Sequence, residues 1–374
     1  MMVAPMSVFT HLTSEDIQSL CAKIDAEQGS CLGKLRSVTP MSNGFLNSVY
    51  AIETDTGHYI FRVLEESEAS FMFADHAERW KAQQHLFANG APVPEPVAAL
   101  SAEGMDIRIE RKVLGHNPSE SEAMMEAHRM GEALARFHLA GMDAPDFYHQ
   151  LPGIGAIVGH EIKESVKRWS PYTMGQEVAF WRDAITTVPE RIKAQRYEAT
   201  HRLPSGLVHG DLNLGNWLLD HASTTIIDFD TLHKGCLAKD VAQLLYHISV
   251  GAEQQSSDAK SCFVPEVAQA AIAGYQSVRT LSQDEQAYLP IALKEYGNYR
   301  RAARNRLLMG GRDIEPDAEA RSAAVIDFCN RGDVSALFPN TTHEAPTPDA
   351  AAKGWLPTLR DAVPFLRDRE RHAA

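Results

Sequence analysis

The sequence predicts an α+β fold of two unequal lobes, a strand-rich first third and a larger, helix-rich remainder. Three observations predict it. The first third alternates polar and apolar residues on either side of a turn, as in Ser48 to Thr54 and His58 to Leu64. Beyond Gly115 the apolar spacing lengthens to three and four residues, as in Met130, Leu134 and Phe137. Short apolar runs (Leu207-Val208, Trp217 to Leu219 and Thr225 to Ile227) interrupt the helical part near its middle.

Each element has a local cause. Leu12 to about Cys31 reads as a helix that Thr13 or Ser14 can cap, with Glu15 and Asp16 in the first turn, where the helix dipole favours negative charge. Asp55-Thr56-Gly57 is the turn of a hairpin between the two alternating strands. Asp75 to Asn89 is helical, and Gly90 stops it. The prolines of Ala91 to Pro96 force an extended segment, and Ile107 to Leu114 reads as a further strand. Ser121 can cap one long helix to about Ala140. Glu177 to Tyr197 and Lys239 to Val250 are helical, and helices dominate from there to about Asn330. Pro339 to Gly354 has the composition of a linker, and Trp355 to Ala374 reads as a docking helix or a frayed tail.

Composition narrows the function classes. The chain has 374 residues, room for roughly two to three units of ~150 residues. It has 44% hydrophobic and 23% charged residues and a formal net charge of −13. That balance disfavours nucleic acid and anionic membrane as partners. No apolar run reaches the ~18 residues of a membrane span, and the N-terminus lacks the basic flank of a signal peptide, so a cytoplasmic protein is expected. The five cysteines are scattered with no C-x-x-C pair, so neither disulfides nor a zinc knuckle are expected.

The chemistry concentrates in Leu207 to Leu219, which holds His209-Gly210-Asp211, then Asn216, with Asp228 twelve residues further on in Ile226-Ile227-Asp228-Phe229-Asp230. Asp211 follows a strand on a glycine-flanked loop, where a side chain can face a cleft. Asn216 and Asp228 lie at adjacent strand ends. Their two oxygens suit a hard cation such as Mg²⁺, which takes few protein ligands alongside phosphate and water. Asp211, unliganded, can accept the proton of a substrate hydroxyl.

The H-G-D-x-x-x-x-N stretch with its downstream Asp resembles the catalytic loop of the aminoglycoside phosphotransferase-like family. These are small-molecule kinases of the protein-kinase-like superfamily, with choline kinase and homoserine kinase relatives. The resemblance covers roughly residues 35 to 310. It implies a protein-kinase-like fold with an antiparallel-sheet N-lobe and a helical C-lobe. Residues 1–34 then form a helical extension, 35–114 the nucleotide-binding N-lobe and hinge, 115–338 the C-lobe with catalytic loop and acceptor site, and 339–374 linker and tail.

The resemblance also implies roles. Asp211 is the catalytic base, and Asn216 and Asp228 hold Mg²⁺. Asn43 to Tyr50 resembles the nucleotide-covering hairpin, with Ser42 and Asn47 near the phosphates. Arg62 stands where the phosphate-binding Lys is usual, and Arg can fork onto phosphate oxygens. Glu78, with Asp75 as runner-up, orients Arg62. Ile107 to Gly115 is the hinge that holds adenine through backbone groups, and Asp240 steadies the catalytic loop. ATP is the expected donor, with GTP open, and the acceptor is a small molecule bearing a hydroxyl. A homodimer is left open.

Blander readings stand beside these. His209 is read as a buried structural histidine. Asp230 can reach a second Mg²⁺ or simply cap a turn. Arg300, Arg301, Arg304 and Arg306 form either a solvated face or an acceptor-site wall for an acidic group. Residues 1–114 carry nine basic and fifteen acidic residues, so acidity is denser there than in the remainder. Net charge therefore does not choose the acceptor. A metallohydrolase would leave Asn216 unexplained. A catalytically weak pseudokinase-type nucleotide-binding protein would be expected to have lost Asp211, Asn216 or Asp228, and all three are present.

Overall fold

The computed structural model describes residues 12–29, 32–41, 47–64, 76–102, 105–144, 190–191, 193–253, 260–309, 318–331 and 337–338. The tail from Pro339 and most of the expected helix over 177–197 lie outside these residues, as do Ser42, Asp75 and Cys31.

Helix α1 (Ser14–Gln28) is capped by Thr13, whose hydroxyl accepts the Asp16 N–H while the Asp16 carboxylate accepts the Thr13 N–H, and Gly29 ends it in the left-handed region. Five antiparallel strands follow in the spatial order β1-β2-β3-β5-β4: β1 (Leu35–Met41), β2 (Asn47–Thr54), β3 (His58–Leu64), β4 (Pro96–Ala102) and β5 (Met105–Arg111). The β2–β3 hairpin is the one the sequence predicts. Strands β1 and β4 are additions, and β5 begins two residues earlier and ends three earlier than expected.

One face of this sheet is dry. Ile17, Leu20, Cys21 and Ile24 of α1 share one apolar cluster with Tyr50, Ile52, Phe61, Val63, Ile107 and Ile109. The helix is amphipathic at the spacing of one face and covers the back of the sheet. On the other side of the strand pleat, Arg62 stands directly opposite Arg108 across β3 and β5.

Helix α2 (His76–Ala88) turns its apolar residues elsewhere. Ala82 and Leu86 belong to the cluster of the larger lobe, together with Leu134, Phe137 and Ile226. The larger lobe begins with α3 (Glu120–Met125) and α4 (Ala127–Met142). The sequence predicts one helix here from Ser121. Instead Ser119 closes a capping box with Glu122, and the chain breaks at Glu126 before α4. Met130, Leu134 and Phe137 are all fully buried, as their spacing requires.

After a helical segment over 193–201 come two small two-stranded sheets, one of them a hairpin nested in the connection of the other. Strand β6 (Ser205–Val208) pairs with β9 (His233–Cys236), and β7 (Trp217–Leu219) with β8 (Thr224–Ile226). Then follow α5 (Leu237–Ile248), the β10 (Val250–Glu253) and β11 (Lys260–Phe263) hairpin, α6 (Pro265–Gln276), α7 (Gln283–Met309) and α8 (Ala318–Arg331). Helices α4 and α6 meet backbone to backbone at Gly131 and Gly274. A Cβ on the first would lie 2.0 Å from the Ala271 carbonyl oxygen, and one on the second 1.9 Å from that of His128. Among the described residues Cys21, Cys236 and Cys329 are free thiols. None of the described helices is long and apolar enough to cross a membrane.

Candidate active site

Strand β6 delivers the chain to His209-Gly210-Asp211, and buried groups fix that loop from behind. Asp240, fully buried in the first turn of α5, accepts the N–H of His209 at 2.6 Å and of Gly210 at 3.1 Å. Gly210 has φ 81, and a Cβ there would meet the Thr231 carbonyl oxygen at 3.0 Å, so glycine suits both the turn and the space. His209 is buried. Its Nε2–H donates to the Ile227 carbonyl at 2.9 Å and its Nδ1 accepts the Asp211 N–H at 3.3 Å, an arrangement that requires one neutral tautomer. Thr231 Oγ1 donates to the His209 carbonyl at 2.7 Å. His209 and Asp240 are thus hydrogen-bonded scaffolding.

A second tier stands behind Asp240. His138 Nε2–H donates to Asp240 Oδ2 at 3.3 Å, and His138 Nδ1 pairs with the Tyr275 hydroxyl at 2.7 Å. Arg279 donates to that hydroxyl at 3.1 Å and pairs with Glu285 at 2.9 Å. Burial holds the His138 imidazole neutral, below its usual range. Burial alone would raise the Asp240 carboxyl, but the hydrogen bonds from His138 and from the backbone N–H groups outweigh it and hold it below the usual carboxylate range.

Asp211 Oδ2 accepts the amide N–H groups of Asn213 at 2.9 Å and Asn216 at 3.3 Å, and Asn216 also donates to the Asp211 carbonyl at 2.7 Å. Asn213 caps the short turn 214–216 that brings Asn216 back. Trp217 then pairs with Ile226, and the Ile227 N–H donates to the Asn216 carbonyl at 3.0 Å. Asn216 and Asp228 therefore stand side by side at the open end of the β7–β8 hairpin. Asp228 sits at φ 69, uncommon for a residue with a side chain and a recurring mark of functional positions. Burial raises its carboxyl above the usual range, against the pull of Arg62.

Arg62 reaches this corner from the sheet. Its Nη1 donates to Asp228 Oδ1 at 3.1 Å and lies 3.7 Å from Asp230 Oδ2. Burial opposes its charge, but Asp228, Asp230 and Glu110 outweigh burial and hold it above its usual range. From α2, Arg79 donates to the Asp230 carbonyl at 2.5 Å and lies 3.7 Å from its carboxylate. Gln83, one turn later, donates to Glu110 at 2.9 Å. Burial and then Arg79 press Arg108 down to about 10, still protonated at neutral pH.

Of the sequence-predicted residues, Asp211, Asn216, Asp228 and Arg62 come together. Glu78 is half-buried on α2, beside Arg79. Asn47 opens β2 opposite Leu64, with its side chain outside the described ones, and Ser42 lies outside the described residues. Sequence reasoning missed Arg79, Arg108 and Glu110. Only the alternation Ile107-Arg108-Ile109-Glu110 signalled the last two, since it marks a strand with one dry and one ionic face.

The chain crosses between lobes over residues 112–119, where His116 exchanges backbone hydrogen bonds with Leu219 at 3.0 and 2.9 Å. On the far side of the catalytic loop, Gln243 of α5 accepts the Leu212 N–H at 3.2 Å. One turn along, His247 Nε2 pairs with the Tyr296 hydroxyl at 3.1 Å. Arg300 follows Tyr296 by one turn of α7. Burial raises the Tyr296 hydroxyl well above its usual range; Arg300 pulls it down, while Asp211 adds to the rise. The side chains of Arg304 and Arg306 lie outside those described.

Residues 37–288 match the model of the phosphotransferase enzyme family. Homoserine kinase of Polaromonas naphthalenivorans (strain CJ2) is 26% identical over 302 residues, covering 79% of this chain and 87% of the relative. Homoserine kinase of Hyphomonas neptunium is 28% identical over 294 residues, covering 76% and 84%. The fold matches Plasmodium vivax ethanolamine kinase with TM-score 0.57 at 13% identity, covering 89% of this chain and 94% of that one. It matches amicoumacin kinase hAmiN, solved with AMP-PNP, Ca²⁺ and amicoumacin, with TM-score 0.55 at 17% identity, covering 84% and 96%. The chain belongs to the phosphotransferase enzyme family, as a small-molecule kinase of protein-kinase-like fold.

Proposed function

We propose that this kinase moves the γ-phosphoryl group of ATP to a hydroxyl of a small molecule, with Asp211 as catalytic base. GTP would suit the same frame. Homoserine is the first acceptor to try, because the relatives named above are homoserine kinases. Other amino alcohols, aminoglycosides and sugars come next.

One observation carries the reading: Asn216 spends its amide N–H on Asp211. That leaves the Asn216 amide oxygen, beside the Asp228 carboxylate, as the end able to serve a cation. This hard-oxygen pair fits Mg²⁺. Bound there, the ion would supply charge neutralisation of the phosphates. The same contacts prepare Asp211. Both amides hold its Oδ2, so Oδ1 can receive the acceptor hydroxyl, orient it and take its proton. Arg62 would steady the phosphates, and Ser42, Asn47 and Glu78 complete the proposed nucleotide side. The acceptor is placed over α5 and α7, next to Tyr296.

ADP release from Mg-ATP, followed across this acceptor panel, tests the proposal. The wild type should turn over one acceptor class about 10²- to 10⁴-fold faster than Asp211→Asn, which should keep an ATP-dependent rise in melting temperature. No acceptor-dependent release above the variant, with no ATP-dependent rise, overturns the proposal. An ATP-dependent rise without turnover supports a pseudokinase-type nucleotide-binding protein instead.

A further inference from the structure

We infer that Asp230, clamped by Arg79 of α2, is the residue that positions Arg62 for the nucleotide and is not a second metal ligand. This rests on the reading of Arg62 as the phosphate contact.

The sheet gives Arg62 one acid, Glu110, whose carboxylate also accepts the Gln83 amide N–H. The direct cross-strand neighbour of Arg62 is Arg108, a like charge at the closest spacing a sheet offers. The acids within ion-pair distance of Arg62 come from outside the sheet. Glu78 of α2 is the expected acid; α2 also brings a cation, Arg79, to this corner. The paired acids come from the segment after β8.

Two acids are there, and they differ. Asp228 pairs with Arg62 and its side chain is 38% exposed, open to the cleft. Asp230 is 19% exposed and is engaged at both ends: Oδ2 faces Arg62 and Oδ1 faces Arg79, each at 3.7 Å. Its carbonyl takes a further hydrogen bond from Arg79 at 2.5 Å. A metal at Asp230 would have to displace two guanidinium groups. A metal at Asp228 displaces one contact of Arg62 and leaves the Asp230 contact in place.

The packing makes the clamp rigid. Ala82 and Leu86 of α2 are buried in the same apolar cluster as Ile226, Phe229 and Leu232, which flank Asp228 and Asp230. The loop after α2 is tied to β8 by the Ile226 N–H on the Pro92 carbonyl at 2.8 Å. Arg79 and Asp230 are thereby held against each other, and Arg62 reaches them from β3. Asp230 is a fixed station that holds Arg62 when Asp228 turns to the cation.

The test is calorimetric binding of a non-hydrolysable ATP analogue to the full chain, with and without Mg²⁺, together with the Mg²⁺ concentration for half-maximal activity. Asp230→Asn and Arg79→Gln should each weaken nucleotide affinity about tenfold, with and without the metal, as expected for loss of a charge-assisted contact. Arg79→Lys should fall between Arg79→Gln and the wild type. The double variant Arg79→Gln/Asp230→Asn should be no worse than the weaker single one, since both remove one clamp. The half-saturating Mg²⁺ concentration should stay within about twofold of wild type. If Asp230→Asn loses its native circular dichroism, the Arg79 pair carries the same test.

A rise in half-saturating Mg²⁺ with nucleotide affinity intact in Asp230→Asn would make Asp230 a metal ligand and overturn the inference. So would unchanged nucleotide affinity in Arg79→Gln, or additive losses in the double variant. Failure of the wild type to bind the analogue at all would instead overturn the proposed function.

Discussion

Asp240→Asn isolates the support behind the catalytic loop. The carboxylate is fully buried and each oxygen takes a backbone N–H, from His209 on Oδ2 and Gly210 on Oδ1, with His138 as a third donor. Asparagine is nearly isosteric but has one acceptor oxygen. Its NH₂ must then face a backbone N–H, which leaves that donor buried and unpaired. An unpaired buried donor costs about 1–3 kcal/mol, and loss of the charge weakens the bonds that remain, so the total is about 3 kcal/mol. At roughly 2–4 °C per kcal/mol for a domain of this order of size, the melting temperature should fall by roughly 6–12 °C. Phosphotransfer measured well below that temperature should fall as well, because Asp211 is carried by the same loop.

A pH arm adds a signed check. The Asp240 carboxyl lies below the usual range, so its contribution is complete above the unfolded value near ~3.9 and is lost as pH falls through the folded value. The gap between variant and wild type should therefore persist at both pH 5.5 and pH 8 in thermal scans. A variant that melts with the wild type, or a gap that closes between those two pH values, would refute the reasoning.

Three further outcomes are expected. Gly274→Ala forces a Cβ to within 1.9 Å of the His128 carbonyl oxygen, so α4 and α6 must separate; denaturant unfolding should show a loss of about 3 kcal/mol or more. Burial, followed by Arg300 and Arg321, holds His247 neutral well below its usual range, so native protein binds fewer protons than unfolded chain; stability should fall below about pH 6.5, by up to ~1.4 kcal/mol per pH unit from this group, and His247→Gln should flatten that slope in urea unfolding. Burial pushes the thiols of Cys21 and Cys236 up to about 12, so a thiol reagent at pH 8 should label them only on unfolding; fast labelling of either in native protein would contradict their placement.

What the sequence discloses about this molecule follows from how far apart the interacting residues lie along the chain. Asp211, Asn213 and Asn216 bond within a five-residue span, and Asp228 joins them through one short hairpin, so their chemistry is written in local spacing. The β2–β3 hairpin and the buried stripe of α4 are legible for the same reason. The α1 stripe is equally periodic, yet periodicity names no partner, and only the structure shows that α1 completes the back of the sheet. The short strands β9 to β11 carry too few residues to establish a period. Arg79 and Asp230 are separated by 151 positions, and Arg62 and Asp228 by 166. No pattern within a window of helix or hairpin length can pair them. Glu78 and Arg79 are adjacent on α2, and their neighbours in sequence do not say that Arg79 meets a residue 151 positions away. Ala82 and Leu86 dock α2 onto the larger lobe, and Arg79, one turn before Ala82, meets Asp230 there.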